Sequence, residues 1–211
     1  MATRSPERAG RSRISGPERR DRILQAAVAC FASRGFSGTT TREVAERAGI
    51  TEAGLYRHFE SKEVLYAAII DAKMQAPDLL ADLAGPAERG DDRALLAGLA
   101  QAILERGRAD PDFVRILFFS ALEGHELADP FFEARTRRLR DFLARYIARR
   151  VDEGAFRDVD PLLAASAFIG MVVDHVNVAV VFGREELRRR SPHELAEGLV
   201  DLFLSGVQRG R

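Results

Sequence analysis

Apolar positions along this chain recur at spacings of three and four, and no segment alternates with period two. Ile23, Leu24, Ala27, Val28 and Phe31 form the first stripe and predict a helix over 17–34. Val44, Ala45 and Ala48 predict a short second helix. Leu55 and Phe59, four apart, predict a third over 52–58. Val64, Leu65, Ala68, Ile69 and Ala72 mark a fourth helix that starts at Lys62, which Pro77 should bend or end. Gly85-Pro86 and Gly90-Asp91 read as the brackets of a loop. Helices are then expected over 92–107, 110–124, 129–153 and 161–182, with another from Pro192. No Asn-Gly or Asp-Gly hairpin signal and no repeat is present. The pattern predicts an all-α chain of about nine helices.

The punctuation between positions 35 and 62 is the most informative part. Thr40 and Glu43 have capping-box spacing, and Gly49 suits a left-handed helix end. Thr51 is the next N-cap, with Glu52 on the positive end of the new helix. Ser61 caps a further helix. Lys62 in its first turn opposes the helix dipole, so a phosphate partner is expected for it. Two short capped helices joined by a glycine turn spell a helix-turn-helix over 40–59. Its second helix would read DNA, with Glu52, Ala53, Gly54, Tyr56, Arg57 and His58 facing outward. Small residues at 53 and 54 allow close approach to a groove. Arg57 and His58 can donate to guanine or phosphate, and the Tyr56 hydroxyl to phosphate. Arg42 projects beside this surface, and Thr40 and Thr41 offer hydroxyls and amides at a helix N-terminus. Singly, each of these is an ordinary cap or surface residue. Their order and spacing carry the reading.

These residues resemble the N-terminal domain of the tetracycline-repressor (TetR/AcrR-like) transcriptional regulators. The resemblance covers about 18–70 and runs through Ile23, Ala26, Ala27, Phe31, Gly35, Phe36, Thr39, Thr40, Val44, Ala45, Ala48, Gly49, Ile50, Thr51, Gly54, Leu55, Tyr56, His58, Phe59, Lys62 and Leu65. It implies an all-α homodimer: a three-helix DNA-binding domain and a larger helical ligand-binding and dimerisation domain. It also implies a regulator, usually a repressor, released from a palindromic double-stranded operator by a small apolar or amphipathic effector. Phosphate contacts would fall on Thr40, Thr41, Tyr56 and Lys62. Base reading would fall on Arg42, Glu52, Ala53, Gly54, Arg57 and His58. Glu52 departs from the basic or neutral residue of many members. It can accept from cytosine or simply cap the helix.

Charge distribution supports the DNA reading where net charge alone does not. The 211 residues carry 32 basic and 32 acidic side chains. Residues 1–62 hold 12 basic against 7 acidic, and the remainder is acidic by the same margin. The polar, arginine-bearing first 16 residues read as a disordered arm and not as a signal peptide. The organisation expected is arm 1–16, DNA-binding domain 17–66 and body 67–211. Pro77 would be the pivot between head and body. The lone Cys30 excludes a disulfide framework and reads as a small buried hydrophobe, with a redox sensor as the alternative.

Leu162 to Phe182 is long and apolar enough to raise a membrane span, but Asp174, His175 and Asn177 interrupt it. A helix apolar all round in a soluble protein faces its own core on one side and a partner on the other. Leu163, Ala167 and Gly170, with the small Ala164 and Ala165 beside them, and Leu195, Leu199, Leu202 and Phe203 of the last helix, are therefore the expected dimer interface. No membrane partner is expected. Candidate effector contacts are Phe119, Glu123, His125, Phe142, Met171, Asp174 and His175, although phenylalanine at helical spacing equally fits plain core. Glu123, His125, Asp174 and His175 could in principle hold a metal. Neither metal nor cofactor is expected. The chain shows no phosphate loop, nucleophile elbow or His-Glu-x-x-His helix, so an enzyme is disfavoured. A helical protein-binding module is the other rival. A reducing cytoplasm suits the cysteine usage.

Overall fold

A computed structural model of the chain describes residues 15–75, 78–124, 126, 129–184, 186 and 189–208. These residues are helical with no strand among them; one isolated bridge pairs Phe156 with Gln208. The head comprises α1 (Gly16–Arg34), α2 (Thr41–Ala48), α3 (Glu52–Tyr56) and α4 (Lys62–Met74). Each start carries a side-chain cap: Ser15, Thr40, Thr51 and Ser61 accept from main-chain amides three residues on. Ser15 and Glu18 form a full capping box, so α1 begins inside the stretch expected to be arm. Residues 1–14 and Pro77 lie outside the described residues. The third helix is shorter than expected. It ends at Tyr56, with Arg57 and His58 in the turn beyond.

The body begins with an element that local reading missed. Residues Leu79–Arg89 form α5, capped by Asp78, with Pro86 inside it. The Gly85-Pro86 signal is overridden because Leu79 and Leu83, four apart, bury against α6 (Asp92–Ala109). Helix α7 (Pro111–Glu123) follows. Then α8 (Asp129–Phe131) passes through a π-helical segment, Phe132–Arg137, into α9 (Arg138–Asp152). That segment interrupts the single helix expected over 129–153, and Phe132 is exposed on it. The chain closes with α10 (Pro161–Val180) and α11 (Pro192–Val207).

Two cores result. The body core gathers α5, α6, α9, α10 and α11 around Leu95, Leu96, Leu99, Phe168 and Val200, all fully buried. The head core gathers α1 to α4 around Ile23, Phe31, Leu55 and Leu65, and it also takes in Phe113 and Ile116 of α7. Helix α7 therefore lies in the body by sequence but is packed into the head.

Helix α10 is long and apolar enough to cross a membrane by length and composition, with mean hydropathy 1.7. It is amphipathic by burial. Ala164, Ala165, Phe168, Val172 and Val176 face inward, whereas Leu163, Ala167, Gly170 and Asp174 are exposed. The expected use of Ala164 and Ala165 at a partner is thereby corrected, since both pack in the body. Within the chain, a close helix approach falls at Gly107, where a Cβ would sit 2.4 Å from Val176 Cγ1. On α11, Leu195, Leu199 and Phe203 are likewise buried in the chain's own core, mostly against α6. Leu202 alone of that predicted set is exposed, at 69%. The helix presents its other face to solvent because α6 already covers the leucine stripe.

Candidate nucleic-acid interface

The α2–α3 unit is held rigidly from inside. Val44, Ala45, Ala48, Leu55 and Phe59 are buried, and Gly49 takes φ 70, ψ 36, so the chain can turn without strain. Its amide donates to the Ala45 and Glu46 carbonyls. Arg22 of α1 donates to the Ala48 carbonyl at 3.1 Å, closing the end of α2. Arg20 lies over the Phe59 ring at 4.8 Å.

Across the α2–α3 angle runs a polar link. The Thr41 hydroxyl donates to Glu52 Oε1 at 2.5 Å and lies 3.1 Å from the Tyr56 hydroxyl. Glu52 is thus half-buried and engaged with Thr41, which accounts for its departure from a basic residue. Thr40 accepts from the Glu43 amide, and Glu43 returns to the Thr40 amide at 3.0 Å. These bonds hold the Glu43 carboxyl below its ordinary value.

Toward solvent the unit presents Thr40, Arg42, Thr51, Ala53, Tyr56 and Arg57, all exposed, with Thr41, Gly54 and His58 half-exposed beside them. Arg42 pairs with Glu46 at 3.0 Å but keeps 78% of its side chain in water, so it is free to swing onto a partner. Gly54 does more than allow approach. A Cβ there would lie 3.2 Å from the Thr51 capping hydroxyl. A depression of about 270 Å³ is lined by Arg19, Ile50, Thr51, Gly54, Arg57 and His58. Arg19 was not anticipated. It sits on the polar face of α1 and joins the unit only through the tertiary fold.

Lys62 needs a correction. Its ammonium donates to the carbonyls of Phe36 and Thr39 at 2.9 and 3.0 Å and lies 4.2 Å from the centre of the Phe36 ring. Local stability does account for it, contrary to the reading from the dipole. Cys30 is half-buried, and burial pushes its thiol up, away from the reactive thiolate.

The expected effector residues fall into two groups, Phe119 with Glu123 beside Gly35, and Phe142, Met171 and His175 on the body. Phe119 lies at the α1–α7 seam, in a groove of about 420 Å³ shared with Ala32, Ser33, Phe118, Leu122 and others. Glu123 accepts hydrogen bonds from the Phe36 and Ser37 amides. Phe142 and Met171 pack on the body core, and His175 Nδ1 is 2.9 Å from the Met171 carbonyl. Asp174 is exposed, and His125 lies outside the described residues. Helical periodicity says which face a side chain shares, but not which of two cores receives it. No group of three or more His, Cys, Asp or Glu able to hold a metal occurs among the described residues.

A basic, rigidly capped helix-turn-helix head on a helical body defines a DNA-binding transcriptional regulator. Residues 23–69 match the model of the bacterial regulatory proteins of the tetR family, and 96–206 match that of the AefR-like transcriptional repressor C-terminal domain. The nucleoid occlusion factor SlmA of Vibrio atlanticus is 32% identical over 75% of this chain and 82% of its own. The transcriptional repressor KstR2 of Mycolicibacterium smegmatis is 53% identical over 45 residues, 21% of this chain and 22% of that protein. The crystal structure of AibR with isovaleryl coenzyme A and operator DNA superposes with a TM-score of 0.63 at 27% identity, over 87% of this chain and 97% of that one. The chain belongs to the tetR family of bacterial regulatory proteins.

Proposed function

We propose that this regulator is a homodimeric repressor of the cytoplasm that binds a palindromic operator and is released by a small apolar or amphipathic effector, with no catalytic role. The observation that carries the reading is the exposed face of Arg42, Ala53, Tyr56 and Arg57 on a unit whose interior is fully committed. Support for a repressor comes from the names of its relatives, and for an amphipathic effector from the acyl-coenzyme A bound to AibR. Support for the dimer comes from α10 and α11, which leave Leu163 and Leu202 68% and 69% exposed beside the open Gly170 and Gly198. A two-fold pairing there would set two α3 helices about one DNA turn (~34 Å) apart.

In this reading Tyr56 and the threonines grip phosphate, while Arg42 and Arg57 choose bases. The test uses the duplex that wild-type protein enriches from a random pool, and a scrambled duplex, each across a salt series. Arg42→Ala and Arg57→Ala are expected to cost about 1–3 kcal/mol on the enriched duplex alone. Tyr56→Phe should weaken both duplexes alike. Equal losses on both duplexes for the arginine variants, or no enrichment by wild type, would refute the assignment.

A further inference from the structure

Glu123 ends α7, where a carboxylate opposes the helix dipole. Helix stability does not account for it; the turn after α1 does. Its Oε2 accepts from the Phe36 amide at 3.0 Å and its Oε1 from the Ser37 amide at 3.1 Å, a two-pronged charge-assisted grip on consecutive main-chain amides. Gly35 makes the room. It sits at φ 73, and a Cβ there would lie 2.4 Å from Glu123 Oε1 and 2.9 Å from Phe119 Cδ1. Lys62 grips the same turn from the head side through its carbonyls. The turn runs directly into Thr40 and Thr41, and Thr41 bonds Glu52 and Tyr56 on α3. The far end of α7 is tied to α4 by the Lys73–Asp110 pair and to α10 by Arg115, which donates to the Val180 carbonyl at 3.2 Å.

We propose that Glu123 is a positioning residue for DNA reading: through the Phe36–Ser37 amides it holds the α2–α3 unit in the orientation that the body dictates. This rests on the DNA-binding reading above. A movement of α7 that draws the carboxylate off these amides releases the recognition helix. By linkage, any effector that favours the released state weakens DNA binding by the same factor that DNA weakens the effector.

The test uses the full-length chain and the duplex enriched by wild type. Glu123→Gln keeps the size of the side chain, removes the charge and turns one acceptor into a donor facing an amide. It should weaken binding to the enriched duplex at least about tenfold and leave a scrambled duplex within about twofold, because non-specific affinity depends on phosphate charge and not on helix placement. Amide exchange should quicken at 36–37 and at 52–56 while α6 and α10 keep their protection, a pattern that general destabilisation does not give. Gly35→Ala should reproduce this pattern, and the double variant should be no weaker than the weaker single one, since both break one contact. Unchanged binding by Glu123→Gln, exchange confined to 36–37, or additive losses in the double variant would overturn the proposal. If Glu123→Gln does not fold, exchange in the wild-type chain decides. Protection of the Phe36 and Ser37 amides is expected, and rapid exchange of both refutes the latch. If wild type enriches no duplex, the proposed function fails, while the exchange experiment still tests the contact.

Discussion

The Lys62 ammonium holds two main-chain carbonyls and covers an aromatic ring, so its removal should be felt in the fold of the head before it is felt on DNA. Lys62→Met keeps most of the aliphatic stem and deletes only the donor. We expect it to destabilise the head by about 1.5–3 kcal/mol, the range for hydrogen bonds to a charged group. Urea denaturation followed on the head checks this. An unchanged midpoint would return Lys62 to a simple phosphate contact. At the same scale Glu52 is engaged by Thr41, while Arg42 and Arg57 keep their side chains exposed.

At the scale of elements, α5 shows burial outweighing a local breaker. Pro86 cannot donate to the carbonyl one turn back, yet Leu79 and Leu83 hold the helix against α6. Pro86→Ala should therefore stabilise the chain. The restored bond and relieved clash contribute about 3 kcal/mol, offset by about 0.4–1 kcal/mol from a freer unfolded chain, for a net gain of roughly 2 kcal/mol. Leu83→Ala should instead cost about 2–5 kcal/mol, as deletion of a fully packed leucine does. Chemical denaturation of both variants decides whether α5 is a packed helix; opposite signs are required. Helix α7 is the other instructive element, because it shares the head core through Phe113 and Ile116 while bonding α10 through Arg115.

For the whole molecule, the exposed faces of α10 and α11 are the surface on which a second copy is expected. Gly170 and Gly198 have nothing within 4 Å of a built Cβ, so a side chain at either starts into open space. Gly170→Arg should leave the unfolding midpoint of the isolated chain intact, yet run as a monomer at micromolar concentration in sedimentation. It should also lose the affinity that comes from engaging two half-sites at once. A dimer that persists in this variant places the interface elsewhere.

The caps, the helix-turn-helix and, apart from Glu52, its outward residues were legible in the sequence, because each depends on chain neighbours one helical turn apart. Thr40 with Glu43, Gly49, Thr51 and Ser61 act within four residues, and the structure puts each where its spacing requires. The same locality explains the misreadings. The dipole argument for Lys62 left out carbonyls 23 and 26 residues away. The bonds of Glu123 to the Phe36 and Ser37 amides were not legible either, because those partners lie 87 and 86 residues back. Leu195, Leu199 and Phe203 read as an interface because periodicity marks an apolar face without naming what covers it, and α6 covers this one. Local propensity and pattern therefore determined most of the helices and the helix-turn-helix, but not α5 or the π-helical break before α9. Only the tertiary packing decided which apolar face stays open, and which charges hold the head to the body, because those depend on contacts between residues far apart in the chain.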